Sequence, residues 1–354
     1  MINESNRLKP RIQQIVDQLI IYSIVLIIRK VPMKTLQVTA PQQFEILNLP
    51  IPTPGPGEVL MQILAVTTCP QWDLHLRHNE PMFVGHQFHY PYMLGQPGHE
   101  AAGVIAAVGP GVTAVATGDR VSAWRDPGHH APGCYAQYVV HRAENVIKVP
   151  EQLPIETLAP IELAMCIGTV FRMLAEMNAL RGRIFGVTGL GPAGLIALQM
   201  ARAEGAVAVF GFDPLPDRRE LALRLGADGC YDPGSDINAE FPARPKTPRL
   251  ETSVDCVGAK SSVEFLMDHT RDAVALFGVQ REDYTFAPRH FTLRLCGYKG
   301  HHRESAEYAV GLIEAGQLDL APLVTHRLPL EQYSEGINLL ETRQAIKVCF
   351  LPWA

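Results

Sequence analysis

Cys69, His99 and Cys166 are the residues whose side-chain types and spacing first suggest chemistry. Cys69 follows the apolar run 61–68, His99 sits in the tripeptide Gly98-His99-Glu100, and Cys166 lies inside the apolar segment IELAMCIGTV. A thiolate–imidazole–thiolate set suits a borderline-soft ion such as zinc. Three protein ligands leave a fourth coordination position for water or substrate, which marks a catalytic site rather than a structural one. Taken singly, each residue also fits an ordinary role, as a buried cysteine or a hydrogen-bonded loop histidine. The combination points to a metal.

A second constellation is backbone chemistry. Gly189-Leu190-Gly191-Pro192-Ala193-Gly194 matches G-x-G-x-x-G, with the apolar run RIFGVT before it and the amphipathic run LIALQMARA after it. In that context Gly189 allows a tight turn, Gly191 lets a pyrophosphate approach the backbone, and Gly194 lets strand and helix pack closely. The amides and dipole at the helix start then hold the phosphates. Asp213 ends the next apolar run, about 20 residues further on, where a carboxylate accepts hydrogen bonds from a ribose hydroxyl pair. That favours NAD over NADP. Arg218 and Arg219 follow closely; Arg218 could flank the ribose of NAD or serve a 2′-phosphate.

The elements that must position these groups fall into two textures. Residues 35–149 read as short β-like runs punctuated by Gly and Pro, as in PTPGPGE and GPGV, and predict a β-rich domain. CYAQYVV at 134–140 reads as one of those strands. After Pro150, strands alternate with helices, which predicts a parallel, doubly wound sheet. Gly168 reads as a possible interruption of the first helix. The expected organisation is an α/β chain with a catalytic β-rich domain at 33–155, a Rossmann domain at 156–312, and a segment 313–354 that returns to the first domain.

The 354 residues are 47% hydrophobic and 19% charged with a formal charge of -5, which suits a globular enzyme and argues against a nucleic-acid partner. The 7 cysteines are scattered without a C-x-x-C pair, so a reducing, cytoplasmic setting is expected. The apolar run 19–28 is too short for a bilayer, which needs about 20 residues, so a membrane role is not expected. Residues 1–32 read as an extension outside the fold; the alternative is a membrane- or partner-binding segment. The histidine pairs His129–His130 and His301–His302 read as exposed loop residues.

In PTPGPGEVL, the cysteine after that strand, GHE, GDRV, GLGPAG and THRLPL, in this order, the chain resembles the zinc-containing medium-chain dehydrogenases from about Met33 to its end. The resemblance implies a GroES-like catalytic domain beside the Rossmann domain, a homodimer or homotetramer, and hydride transfer between an alcohol or polyol and NAD. It implies Cys69 and His99 as zinc ligands and places Cys166 where a third falls, with Glu162 a rival. Glu100 is either a ligand or a carboxylate that exchanges onto the metal. Asp73 would orient His99, and His75 or His78 would pass the proton out, because Gln71 stands where a hydroxyl relay is usual. The four-cysteine structural zinc loop is absent, which predicts one zinc per chain. Two rival readings remain: a zinc-free quinone or enoyl reductase using NADPH, and a non-catalytic nucleotide-binding protein. The segment holding Trp72, Met82, Phe83, Phe88, His89 and Tyr90 either lines a substrate pocket or is ordinary packing.

Overall fold

A computed structural model describes residues 32–83, 85–125 and 128–354. The expectations for residues 1–31 lie outside the described residues. The chain opens on an antiparallel hairpin, β1 (Pro32–Ala40) and β2 (Gln43–Pro50). β3 (Glu58–Thr67) leads into helix α1 (Pro70–His78), and β4 (Glu100–Val108), β5 (Arg120–Ala123), β6 (Tyr138–Arg142) and β7 (Val146–Lys148) follow. The strand expected at 134–140 joins the ladder only from Tyr138. Before it, Cys134 and Tyr135 pack against the loop at Gly95 and Gly98, each donating its N–H to one of those carbonyls.

Helix α2 (Ile161–Glu176) starts the alternating part: β8 (Ile184–Thr188), α3 (Pro192–Ala203), β9 (Ala208–Phe212), α4 (Pro216–Arg224), β10 (Gly229–Tyr231), β11 (Leu250–Asp255), α5 (Lys260–His269), β12 (Thr270–Leu276) and β13 (Arg294–Gly297). α2 runs unbroken through Gly168, contrary to the expected interruption. A Cβ there would lie 3.1 Å from the Ser305 carbonyl oxygen, so the glycine serves the close crossing of α2 and α6 (Arg303–Glu314). The apolar stretch Ile155–Glu176 that includes α2 is a core element, with 83% of its most apolar 18 residues buried inside the protein.

β8 to β13 form one parallel sheet in the order β10-β9-β8-β11-β12-β13. Strand order reverses between β8 and β11, the point where α/β sheets bind ligands beyond their carboxyl ends. Thr188 at the end of β8 donates to Asp255 at the end of β11 (3.1 Å). The chain closes with β14 (Val324–Pro329), α7 (Tyr333–Glu341) and β15 (Lys347–Leu351). β15 pairs antiparallel with β3, which gives the second sheet the order β14-β15-β3-β4-β5-β7 with β6 also on β3. This pairing carries Lys347 back to the segment that bears Cys69.

Candidate active site

Cys69 caps the N-terminus of α1 just past β3. Its N–H donates to Asp73 Oδ2 (2.8 Å), and the hydroxyls of Tyr135 and Tyr333 donate to the same carboxylate at 3.0 Å. Burial pushes the Asp73 carboxyl up to about 6, against the pull of those bonds. Asp73 therefore fixes the backbone of Cys69. The orienting bond on His99 comes from its own loop: Nδ1 lies 2.7 Å from the Pro97 carbonyl. A carbonyl only accepts, so Nδ1 carries the proton and Nε2 presents a lone pair. Gly98 has to be glycine, since a Cβ would lie 2.6 Å from the Tyr135 nitrogen.

Three of the four predicted ligands come together. Donor atoms of Cys69, His99 and Glu100 lie within 4.8 Å of one another. Glu100 is already engaged: Lys347 Nζ donates to its two oxygens at 2.6 and 2.5 Å, and Thr67 Oγ1 donates at 3.0 Å. Burial raises the Glu100 carboxyl, Lys347 pulls it back, and the Glu162 charge raises it again. Sequence reading missed Lys347. Its signal was a lone cation inside the apolar run KVCFL.

The fourth predicted ligand, Cys166, falls in a neighbouring triad with Glu162 and His301, also within 4.8 Å. Glu162 and Cys166 sit one turn apart on α2 and so share a face. The Cys166 thiol donates to Glu162 Oε1 (3.3 Å), and His301 Nε2 meets that same oxygen at 2.7 Å. The other Glu162 oxygen stands 3.9 Å from His99 Nε2, so Glu162 bridges the two triads. Burial alone would raise the Glu162 carboxyl. The His301 hydrogen bond leads the opposing effects, which more than offset this and bring it to about 2. His301 thus lines the site instead of standing in an exposed loop, because the turn after β13 lays it against α2. His129 is also partly buried, its ring 3.7 Å from that of Trp72, whereas His130 and His302 are exposed.

The proton path read from sequence is not supported. His75 lies against the Glu80 carbonyl (3.3 Å) and His78 against Glu341 (2.7 Å), and neither lines the cavity, which meets only the first turn of α1. Gln71 does line it, and its side-chain oxygen accepts from Arg281 (2.8 Å) across the cleft. Of the aromatic-rich segment, Trp72 and Met82 line the cavity. Phe88 is buried, the Tyr90 hydroxyl donates to the Leu76 carbonyl (2.5 Å), and Phe83 and His89 face outward.

The glycine loop has the geometry its spacing predicts. Gly189 has φ +77°, and a Cβ on Gly194 would sit 1.9 Å from the Gly189 carbonyl oxygen. Gly191 caps α3, and a Cβ there would meet no atom within 4 Å. Packing therefore explains two of the glycines, and the third keeps open space in front of a helix start. Asp213 accepts from the Leu190 and Leu215 N–H groups, each at 2.8 Å, which aims its carboxylate into a cavity of about 640 Å³ also lined by Gly189, Gly191, Arg218 and Arg343. Arg218 donates to the Ala345 carbonyl (2.8 Å), and burial lowers its guanidinium below the usual value. Arg219 donates to the Asp213 and Pro214 carbonyls (2.7 and 2.9 Å).

A second cavity of about 280 Å³ is lined by Cys69, His99, Glu162, Cys166 and His301 on one side and by Gly191, Pro192, Ala193 and Gly194 on the other. Donor side chains and phosphate loop thus face the same space.

Residues 55–151 match the alcohol dehydrogenase GroES-like domain family, and residues 192–314 match the zinc-binding dehydrogenase family. The chain is 30% identical to an L-threonine 3-dehydrogenase of Pyrococcus abyssi over 349 residues, 87% of this chain and 94% of that one. It is 29% identical to a sorbitol dehydrogenase of Gallus gallus over 336 residues, 85% and 91% of the two chains. In structure it superposes on 2R,3R-butanediol dehydrogenase from Bacillus subtilis with TM-score 0.78 at 21% identity, covering 90% and 99%.

Proposed function

The chain belongs to the zinc-dependent medium-chain dehydrogenases, and on that premise we propose that it moves a hydride between an alcohol or polyol, or the matching ketone or aldehyde, and NAD. One observation carries this reading. The donors Cys69, His99 and Glu162 and the phosphate loop at Gly191 and Gly194 line one cavity.

Thiol, imidazole and carboxylate donors fit zinc. Glu162 suits the third place better than Cys166, because its Oε2 faces His99 Nε2 at 3.9 Å while Cys166 turns toward Oε1 and Tyr298. Glu100 is held by Lys347 and stands as the carboxylate in reserve. A zinc ion held by these residues supplies Lewis-acid polarisation of the substrate oxygen, and NAD supplies the hydride acceptor. The rest of the site is positional: Asp73 locks the Cys69 backbone, the Pro97 carbonyl locks the His99 tautomer, and Trp72 and Met82 wall the substrate side. The Gln71 amide does not ionise and so cannot take the place of a relay hydroxyl.

One ion serves the reaction, and no structural zinc lobe accompanies it: Cys134 is the lone cysteine of that segment, and its sulfur lies 3.5 Å from His141 Nε2. Asp213 favours NAD, since a 2′-phosphate would meet its carboxylate. A panel of alcohols and polyols assayed with NAD and with NADP tests the reading. Turnover of a secondary alcohol with NAD supports it; a substrate-independent failure with both cofactors contradicts it.

A further inference from the structure

Glu162, Cys166 and His301 do more than border the site. Their donor atoms, one oxygen, one sulfur and one nitrogen, lie within 4.8 Å of one another, and they come from two elements, α2 and the turn before α6. A buried cysteine ordinarily packs as a small apolar group. Cys166 instead has a carboxylate oxygen at 3.3 Å and the Tyr298 hydroxyl at 3.1 Å. We propose that Glu162, Cys166 and His301 form a second metal position in this cavity, for an ion of the zinc class, sharing Glu162 with the position at Cys69 and His99.

Two of the three edges of the triad need little adjustment. Bonds of about 2.0–2.3 Å to nitrogen, oxygen and sulfur put tetrahedral ligands roughly 3.3–3.7 Å apart. The Cys166–Glu162 edge is already 3.3 Å, and the His301–Glu162 edge must open from 2.7 Å by about half an ångström. The His301 side chain is 30% exposed, which gives an ion a way in. The charge also suits a cation: Lys347 offsets Glu100, and the Glu162 carboxylate between the triads has no lysine or arginine on it, only the rings of His99 and His301. Glu162 has one oxygen directed to each triad, the arrangement of a bridging carboxylate. The Tyr298 hydroxyl stands beside the sulfur as a fourth group.

The proposal stands on these three side chains and does not depend on the dehydrogenase reading. Full-length protein stripped with a chelator and reloaded with excess cobalt(II), which reports thiolate ligation by near-ultraviolet charge transfer, tests it. Cobalt per chain is measured in the native protein and in Cys166→Ser, His301→Gln and Cys69→Ser, with folding checked by circular dichroism. The native chain is expected to hold two ions. Cys166→Ser and His301→Gln should each hold one, and Cys166→Ser should lose about half of the charge-transfer absorbance. Cys69→Ser should lose turnover and keep the ion at Cys166. His301→Gln, at a partly exposed residue, gives a result even if Cys166→Ser fails to fold. One ion per native chain, or two whose count is unchanged in both Cys166→Ser and His301→Gln, would overturn the proposal. A native chain that holds two ions yet turns over no alcohol would sink the proposed function and leave the second position standing.

Discussion

The two halves of the cavity are built by opposite means. The phosphate side is local: Gly189, Gly191 and Gly194 lie within six consecutive residues, and what they offer is backbone and space. The donor side is assembled from distant segments: Cys69 from the end of β3, His99 from the loop before β4, Glu162 and Cys166 from α2, His301 from the turn after β13, and Lys347 from the last strand. A local cradle depends on one turn's conformation. An assembled cluster depends on every contact that brings its segments together, and it holds charge where a cradle holds none.

The largest expected difference between the halves comes from the residues proposed to hold the metal. Cys69→Ala and His99→Ala should each lower turnover by more than the roughly 10–100-fold typical of residues that only support a ligand. NADH affinity, read by fluorescence titration, should stay within a few-fold. Loss of both would break the comparison. Next comes the buried ion pair. Lys347→Met leaves Glu100 buried beside Glu162 without its cation, and removal of one partner of such a pair costs about 3–5 kcal/mol. Denaturant unfolding checks this; a loss under about 1 kcal/mol would mean that Glu100 is protonated or hydrated instead.

The phosphate side should respond in a different currency, affinity without stability. Gly191→Ala adds a methyl group that meets no protein atom, so the melting temperature should hold while NADH binding weakens about tenfold, roughly 1.4 kcal/mol. Unchanged binding would remove the pyrophosphate from in front of this residue. Asp213→Gly should narrow the preference for NAD over NADP. If the native protein binds NADPH more tightly than NADH, Arg218 and Arg343 govern this end of the cavity.

The smallest effect concerns the rim of the parallel sheet. Burial works to raise the Asp268 carboxyl, but bonds from Arg289 and His290 outweigh it and leave the group lowered. A lowered carboxyl stabilises the fold above its unfolded value, about 3.9, and that contribution is lost as pH falls through the folded value. Asp268→Asn should therefore cost stability at pH 7, and the cost should shrink as pH falls through the folded value, which lies below the ordinary one. The exposure of the pair keeps the effect near 1 kcal/mol or below.

This contrast also explains what the sequence made legible. Gly189, Gly194 and Asp213 could be read because each requirement is met within one β-α-β unit: a positive φ, a close helix–strand approach, a carboxylate at the next strand's end. Cys69 and His99 were readable because each closes or opens a recognisable strand. Glu162 against Cys166 was not resolvable, since the two share a helix face and differ only in how α2 rotates against β4. His301 and Lys347 were lost for a plainer reason: a loop histidine, or a lone lysine in an apolar strand, does not say locally which distant groups long-range packing will bring to it. His75 and His78 were misleading in the reverse sense: only the first turn of α1, Pro70 to Trp72, lines the cavity, and these two histidines lie further along the helix against Glu80 and Glu341.

The central claim is that a metal-dependent step and a metal-independent dinucleotide cradle meet in one cavity. It is tested most directly by removing the metal with a chelator and measuring two quantities on the same sample: oxidation of a turned-over alcohol with NAD, and NADH binding by fluorescence. The expected result is that turnover disappears and returns on adding zinc, while NADH affinity changes by no more than a few-fold throughout. Full turnover by the metal-free protein would contradict the account.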